Sequence, residues 1–414
     1  MSFYSSADVK NELLEPSVHT AGDRSEFRIH GDVLTSLKLV NSAPFGDATS
    51  QLNELVGVLG NIKNIFLYDG KTELTSIRDF NSVMGFKNLQ FDNHHNSDID
   101  RLLKRHKVGY QSAYLDDNGN YKRRTTVKNE IVNTLPATDT DDNAIRSYFD
   151  LREAFNMLQK VPVLSDKLFP QLRLVIEYTR VNQEAKLVTN VAFQNCRPLL
   201  ALDRIVNPVV AMNMVNSVST INYEDIEHDR VQVAAIGNDE TQKAGRKVLG
   251  FNGKYVSRLR IRKNFSDTSK HINANAVVGF GVYESLCANG EVFQIVLNGR
   301  PLFPRSGLEG YNRRLAHLVD THGEVNLYEN AHIDVHADYN GNALGGDAAK
   351  GGVLDFFATQ IEEKVEELQI DYTRVGTPDA NAVSKFKDAL ELFITANVQK
   401  VLQVGNGTYR ITYA

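Results

Sequence analysis

The 414-residue sequence has only two cysteines, Cys196 and Cys287, and no tryptophan. Two cysteines are too few for a disulfide framework, and neither has the close Cys or His neighbours that a zinc site requires. No apolar run approaches the roughly 18 residues that a membrane-spanning helix needs, and residues 1–16 are too polar for a signal peptide. These absences predict a protein that folds inside a cell and keeps its thiols free.

An excess of charge of one sign is also missing. The chain carries 46 basic and 51 acidic residues, a net charge of −5, and contains no run of five or six like charges. A protein that neutralises many phosphates usually has a basic excess or a basic tail. We therefore expect no sequence-specific nucleic-acid partner.

Most of the chain instead alternates between apolar and polar residues with a period of two, and Gly, Asn and Asp interrupt the pattern at short intervals. This pattern predicts a mainly β protein. Asp69-Gly70 and Asn298-Gly299 follow apolar runs and predict hairpins, because a type I′ turn needs positive φ at both central residues. The strand candidates are Leu37, Leu39 and Val40; Ile62, Ile65 and Leu67; residues 172–178; Leu259 and Ile261; residues 292–297; and Leu368, Ile370 and Tyr372.

The clearer helix candidate is the stretch 150–161. Asp150 can cap free backbone N–H groups there, and Leu151, Phe155 and Leu158 fall on one side of the helix. In a β protein this is a short helical insertion.

Residues 386–402 fit either a helical face or one face of a strand. We prefer the strand, because Ile394 and Val398 are β-branched and a second alternating run follows at 409–413. On that strand, Lys400 is the only polar residue of an otherwise apolar face.

The two halves of the chain share short motifs in the same order. Ile176-Glu-Tyr-Thr-Arg-Val181 recurs as Ile370-Asp-Tyr-Thr-Arg-Val375, with five of six residues identical, 194 positions later. A weaker pair, Leu67-Tyr-Asp-Gly-Lys71 and Val296-Leu-Asn-Gly-Arg300, is 229 positions apart. The repeats predict a duplicated β fold. The difference in spacing places about 35 extra residues in the first copy, for which the polar tract 92–142 is the candidate.

Two successive β domains suggest paired sandwiches, and the jelly roll is the sandwich found in capsid shells, lectins and cupins. Several stretches, in order from about Leu34 onward, carry a likeness to one family: residues 61–70 with Asp79, Phe80 and Phe86, then 148–155, 169–178, 297–304, 356–357 through 368–372, and 401–413. In order and spacing, they resemble the double jelly-roll major capsid proteins of icosahedral double-stranded DNA viruses, especially those of virophages and polinton-like viruses.

The resemblance implies two consecutive eight-stranded antiparallel jelly-roll sandwiches with short helical insertions. We expect an N-terminal arm at 1–25, a first roll at 26–208 and a second roll at 209–414. Val9, Leu13 and Leu14 suit a short helix or docking arm, although an untethered terminus is the default.

The resemblance also implies a non-enzymatic shell protein of the virion, assembled inside the host cell. Its partners would be two further copies in a homotrimeric, nearly hexagonal capsomer, then neighbouring trimers, penton and minor capsid proteins, and an internal membrane where the virion has one. Loops 92–142 and 340–352 would form outer towers or clasp neighbouring trimers. No cofactor is expected.

The richest ligand-like cluster comprises His332, Asp334, His336 and Asp338, which a strand would place on one face. Such a face could hold a divalent metal, or it could be the solvent side of a half-buried strand. We favour the solvent side, because cupin enzymes usually show His-x-His followed by a Glu. We therefore predict no catalytic, cofactor or metal residues. A duplicated-cupin metalloenzyme and a jelly-roll attachment or penton protein remain the alternatives.

Three other motifs do not match the residue pattern of a known binding site. His317 and His322 lack the i, i+4 spacing of a helical zinc motif, and the glycine-rich stretch 345–352 lacks the Lys-Ser/Thr ending of a phosphate loop. Gly279-Phe-Gly281 is followed by Glu284 where a dinucleotide fingerprint has its third glycine.

Three arginines form a stripe on one strand face: Arg258, Arg260 and Arg262. They could pair with carboxylates of a neighbouring subunit or of an acidic partner, since arginine binds carboxylates through two parallel hydrogen bonds. A solvated face is the other interpretation.

Overall fold

The computed structural model describes residues 5–42, 62–81, 83–84, 112–115, 121–124, 146–179, 198–237, 240, 242–266, 292–304, 307–309, 317, 320, 356–375, 389–405 and 408–414. These residues are mainly β, as the period-two pattern predicts, and their strands pair antiparallel. No helix in this part of the chain is long and apolar enough to cross a membrane.

The strands, in chain order, are β1 Val9–Leu14, β2 Val18–Thr20, β3 Arg24–Arg28, β4 Val33–Leu34, β5 Lys38–Ser42, β6 Ile62–Asp69, β7 Thr72–Ile77, β8 Ser112–Leu115, β9 Tyr121–Arg124, β10 Arg146–Asp150, β11 Val163–Leu164, β12 Leu172–Tyr178, β13 Leu199–Ile205, β14 Thr220–Val233, β15 Gln242–Val248, β16 Tyr255–Phe265, β17 Val292–Leu297, β18 Arg300–Pro301, β19 Leu308–Glu309, β20 Phe356–Lys364, β21 Leu368–Val375, β22 Leu390–Gly405 and β23 Thr408–Tyr413. The predicted strands lie within these elements, apart from Leu37, which immediately precedes β5. The preference for a strand at the C-terminal stretch is confirmed by β22 and β23.

Helical structure is sparse in the described residues. The predicted helix at 150–161 forms as a 3-10 turn, Leu151–Glu153, and a short helix α1, Asn156–Lys160, because Phe155 between them has extended backbone angles. Asp150 caps the turn by accepting a hydrogen bond from the Arg152 backbone N–H. A second helix, α2 (Pro208–Asn216), is absent from the sequence prediction.

The strands form two sheets in each half of the chain. In the first half the sheets are β10-β5-β13-β4-β11, with β1 on the other side of β13, and β2-β3-β12-β6-β7. In the second half they are β14-β22-β16-β20, with β23 also paired to β22, and β15-β21-β17-β18, with β19 also paired to β17.

Eight strands recur in both halves with the same connectivity. Counted in chain order within each half, they form one sheet of order 1-8-3-6 and a second of order 2-7-4-5. This is the strand order of a jelly roll, which winds two Greek keys into two facing sheets. The equivalent pairs are β1 and β14, β3 and β15, β5 and β16, β6 and β17, β7 and β18, β10 and β20, β12 and β21, and β13 and β22. Further strands surround these eight in each half.

The repeated sequence motifs lie at equivalent places in the two rolls. Ile176 of β12 pairs with Ile65 of β6, and Ile370 of β21 pairs with Ile295 of β17. All four side chains are fully buried. The motif marks the same central strand pair in each roll, so the match reflects shared architecture.

Within the repeated motif, the two-residue hairpin loop begins one position later in the first roll than in the second. Asn298 and Gly299 have φ values of 50° and 77°, as the predicted type I′ turn requires. In the first roll, however, Asp69 pairs with Thr72, so the two-residue loop is Gly70-Lys71 instead of Asp69-Gly70. Of these two loop residues, Gly70 has the positive φ, 58°.

The prediction for the N-terminal arm needs correction, whereas those for the two long loops stay predictions. The described part of the tract 92–142 contains a strand pair, β8 with β9, and the stretch 340–352 lies outside the described residues. The predicted arm at 1–25 is wrong for its described part, because β1 pairs along its whole length with β13 inside the first roll. Backbone hydrogen bonds to β13 hold β1 in the sheet. The division at 208/209 stays a prediction, and α2 spans that point.

The inside of each roll is filled by large side chains. One apolar cluster lies between the sheets of the first half and another between those of the second. The largest fully buried side chains are Phe27, Phe80, Phe149, Phe155 and Phe169 in the first half, and Phe251, Phe293 and Tyr372 in the second. Apolar side chains therefore pack the described interior of both rolls.

Truncating the equivalent isoleucines should destabilise the protein similarly. We expect Ile176→Ala and Ile370→Ala each to lower the free energy of unfolding by about 2–5 kcal/mol, because each leaves a cavity between two sheets. Val248→Ala, at a side chain 54% exposed on β15, is the control and should change stability by no more than about 0.5 kcal/mol. Urea unfolding at fixed protein concentration measures all three. A loss at either isoleucine as small as that of the control would contradict the duplicated core.

Candidate functional site

The two rolls meet through the strands β14, β22 and β23 of the second half, which pack on β6, β7 and α1 of the first. We call this contact the junction. Strands β14 and β22 contribute to both cores: Tyr223, Phe393 and Leu402 belong to the first-roll cluster, whereas Val231 and Leu392 belong to the second. In a chain of two similar rolls, the junction fixes one roll against the other.

A buried ion pair lies at the junction. The Lys400 ammonium of β22 donates to the Asp225 carboxylate of β14 over 2.7 Å, and the two side chains are 12% and 3% exposed. The Thr75 hydroxyl, from β7 of the first roll, donates to the other carboxylate oxygen over 2.7 Å. The second roll supplies the two charges, and the first roll supplies one of the donors that satisfy the carboxylate.

The local environment changes the acidity of both partners. Burial raises the pKa of Asp225, against the opposing effect of the Lys400 charge and the Thr75 hydrogen bond. Burial alone would lower the pKa of Lys400, but the adjacent Asp225 carboxylate raises it. Lys400 therefore stays protonated at neutral pH, and its charge depends on the carboxylate beside it.

A second carboxylate extends the pair toward the surface. Glu227 lies 3.6 Å from the Lys400 ammonium, forms an ion pair with Lys254, and accepts a 2.8 Å hydrogen bond from the Tyr413 hydroxyl. The Lys254 and Lys400 nitrogens lie 4.8 and 5.4 Å from the centroid of the Tyr413 ring, within range of cation–π attraction. Burial would raise the pKa of Glu227, but the hydrogen bonds from Lys254 and Tyr413 lower it overall.

Two tyrosines of the second half bond directly to the first roll. Tyr223, 2% exposed, donates to the backbone carbonyl of Leu74 over 3.0 Å. Tyr409 of β23 donates to the Asp69 carboxylate over 2.9 Å, and its ring centroid lies 5.1 Å from that of Phe169. Burial raises the pKa of Tyr409 to about 12, and Asp69 adds to the rise, so the hydroxyl keeps its donor hydrogen at neutral pH.

One residue of the predicted arginine stripe, Arg260, is connected to the junction by hydrogen bonds. Arg260 is buried and donates to the Asn397 side-chain oxygen over 2.6 Å, and the Asn397 amide donates to Glu224 over 3.0 Å. The Glu224 backbone N–H donates in turn to Asn156 of α1 in the first roll. Burial, with the nearby Arg258 charge, lowers the pKa of Arg260 to about 10. The solvated-face interpretation is wrong for Arg260, whose side chain faces the inside of its own chain.

Of the predicted ligand-like residues, the structure describes only His317. His332, Asp334, His336 and Asp338 are outside the described residues, as are His322, the glycine motifs at 279–281 and 345–352, and both cysteines. His317 is described and meets the Phe303 ring edge-on, with centroids 5.1 Å apart. Within the described ranges, no group of three or more His, Cys, Asp or Glu side chains is placed to hold a metal ion.

The sequence analysis noted Lys400 as an exception on its strand face without inferring a buried charge, and it did not single out Asp225. Lys400 interrupts an apolar strand face, which is the signal of a buried charge that needs a partner. Asp225 lies among the polar residues of β14 and carries no such signal. The pairing depends on the fold, which brings together residues 175 positions apart.

Removing the carboxylate of the buried pair should be strongly destabilising. Asp225→Ala leaves the Lys400 charge with only the more distant Glu227, and we expect a loss of about 3 kcal/mol in the free energy of unfolding. Asp225→Ala combined with Lys400→Met removes both charges and should cost less than Asp225→Ala alone. Urea unfolding of the two single variants and the double variant measures the coupling. Additive losses would mean that the pair does not act as a unit.

The second carboxylate should make part of the stability depend on pH. The pKa of Glu227 in the folded chain lies below its ordinary value of 4.5, so its contribution is complete above that value and is lost as the pH falls through the lowered pKa. Glu227→Gln should be less stable than the parent at neutral pH by about 1–3 kcal/mol. The difference should shrink on acidification. Thermal unfolding of both proteins between neutral and acidic pH tests this, and a gap that stays constant would contradict it.

No protein-family model and no curated protein sequence matches this chain. Among solved structures, it is similar to a chain in the structure of the Sputnik virophage, with 11% identity, a TM-score of 0.57, and coverage of 98% of this chain and 88% of that one. It is also similar to VP54 of PBCV-1 (12% identity, TM-score 0.54, coverage 98% and 97%) and to the Faustovirus major capsid protein (9%, 0.51, 96% and 90%). The strand order, its duplication and these full-length likenesses agree: the chain has the double jelly-roll fold of viral major capsid proteins.

Proposed function

We propose that this protein is a major capsid protein, the repeating structural subunit of an icosahedral virion shell. One observation carries the proposal: two jelly rolls of the same strand order lie in one chain and share a buried junction. Proteins of similar fold include a Faustovirus major capsid protein. The protein would be located in the virion after assembly inside the host cell.

The assembly unit would be a homotrimer. Three copies of a two-roll chain around one axis bring six similar rolls into a ring, whose outline is nearly hexagonal and can tile a flat face. A closed ring of identical chains repeats one contact around the axis, which the duplicated fold supports. The junction supports the same geometry, because a tile needs a fixed angle between its two rolls. Penton and minor capsid proteins would complete the shell.

The proposed role is structural and not catalytic. A duplicated-cupin enzyme would need metal ligands converging inside a roll, whereas aromatic and aliphatic side chains fill the described interior of both rolls. Metal analysis separates the two roles. Tightly bound, stoichiometric metal that is lost in a His332→Ala/His336→Ala variant would favour the enzyme.

The oligomeric state tests the proposal most directly. We expect the purified full-length chain to elute from size-exclusion chromatography with light scattering as a particle of three chains, because capsomer interfaces are large and obligate. Negative-stain images of that particle should have a hexagonal outline. A monomer under all salt and pH conditions would overturn the capsomer. Isolated knobs would favour the attachment or penton alternative.

A further inference from the structure

A basic cleft opens at one end of the first roll. It has a volume of about 370 Å³, and its lining includes Arg28, Lys71 and Arg173, one carboxylate from Glu26, and His30. The cleft lies where the β6–β7 turn meets the start of β12. All of its lining residues belong to the first roll.

The one carboxylate of the cleft does not balance its cations. Glu26 is 8% exposed in its side chain and lies 2.6, 3.7 and 3.9 Å from Arg24, Arg173 and Arg28. Arg173 is held in place, since it donates to the Gly70 carbonyl and lies over the Tyr68 ring. The carboxylate is thus already surrounded by arginines. The exposed lip, with Arg28 64% exposed and Lys71 in the turn, keeps a positive excess suited to a carboxylate ligand.

The equivalent end of the second roll carries the opposite charge. There, residues 362–367, which we call the acidic turn, include the end of β20 and the loop to β21, and they contain one lysine, Lys364, and four glutamates: Glu362, Glu363, Glu366 and Glu367. Glu363 forms an ion pair with Arg300. In the described part of the chain, neither Glu366 nor Glu367 takes part in an ion pair, and both are exposed.

The acidic turn is rigid. The backbone N–H groups of Glu366 and Glu367 donate to the Asn298 side-chain oxygen over 2.8 and 3.1 Å, and the Asn298 N–H donates back to the Glu367 carbonyl. Such a turn presents its carboxylates with little loss of backbone entropy on binding.

The strand register shows that the basic cleft and the acidic turn occupy equivalent positions in the two rolls. Leu174 pairs with Leu67 in the first roll, and Leu368 pairs with Leu297 in the second. The residue immediately before each is Arg173 in one roll and Glu367 in the other. One position of the duplicated fold therefore carries a cation in the first roll and an anion in the second.

We propose that the basic cleft of one copy of this chain binds the acidic turn of a neighbouring copy within the trimer. This inference rests on the proposed function. In the proposed ring of upright rolls, equivalent ends would lie at the same level and the two kinds of roll would alternate, so each first roll would have the second roll of its own chain on one side and that of another chain on the other. Three clefts and three turns close the ring with no charged feature left over. Complementary charges of this kind select the correct neighbour and orientation more than they add affinity.

A charge swap in the full-length chain tests the contact. Lys71→Glu and Glu367→Lys should each raise the dissociation constant of the trimer about fivefold, because each turns an attraction into a repulsion at all three contacts. The combined variant, Lys71→Glu with Glu367→Lys, should return to within about twofold of the parent. Sedimentation velocity over a range of protein and salt concentrations measures the constant.

Lys160→Glu, at an exposed residue that ends α1, is the control of equal charge change and should leave the constant unaltered. All variants should keep the parental melting temperature within about 2 °C, because the substituted side chains lie on the surface. A trimer that Lys71→Glu does not weaken would overturn the inference, and so would a swap that fails to restore it. Titration with inorganic phosphate adds a third arm: binding that Lys71→Glu abolishes without weakening the trimer would identify a small-anion site instead. A parent protein that forms no trimer would contradict the proposed function itself.

Discussion

The buried pair of Asp225 and Lys400 is the constraint on which the arrangement of the two rolls depends. A charge removed from water is tolerated only where its partners are in place, and here one hydrogen-bond donor to the carboxylate, Thr75, belongs to the other roll. A rotation of one roll against the other would separate Thr75 from Asp225 and expose the pair to an incomplete set of bonds. Apolar contacts such as those of Tyr223 and Phe393 tolerate small shifts, because they have no strict direction. The polar contacts therefore define the angle, and the apolar contacts supply most of the stability.

Duplication gave the two rolls one architecture, and their differences lie at the ends of the strands. The central pairs Ile65–Ile176 and Ile295–Ile370 are equivalent and fully buried. At the strand ends, one hairpin turns through Gly70-Lys71 and the other through Asn298-Gly299, and the surrounding charges have opposite signs. Core positions are restricted by packing between two sheets, so a substitution there affects the whole roll. Turns are free to diverge. In the trimer proposed above, such chains would give six similar rolls with two distinct kinds of contact, one within the chain and one between chains.

Much of this fold could be predicted from the sequence, because alternation with a period of two reports directly which side of a strand is buried. The short repeat at Ile176 and Ile370 indicated the duplication, whereas the exception at Lys400 was noted without the inference of a buried charge. The predictions failed where contacts between distant parts of the chain, and not the local sequence pattern, determine the structure. Strand β1 has no strict alternation, and it joins the first roll through backbone hydrogen bonds to a strand near residue 200. Helix α2 begins with an Asn207 cap and Pro208, a start signal that was available and not used. Arg260 was placed on a polar face, whereas its side chain is buried and bonds to Asn397 of the neighbouring strand β22.

Some charged groups of this protein are buried and others are exposed to water, and this difference determines how strongly salt screens their attraction. At the junction, Lys400 and Asp225 are shielded from solvent, so dissolved ions screen their attraction only weakly. At the cleft, Arg28 and Lys71 face water, where screening acts over about 8–10 Å at moderate salt. An exposed charge contact of this kind is therefore weaker than the buried pair and depends more strongly on salt concentration. The angle within each chain stays fixed at the same salt concentration. Added salt should therefore weaken the contact proposed at the cleft before it changes the angle between the two rolls.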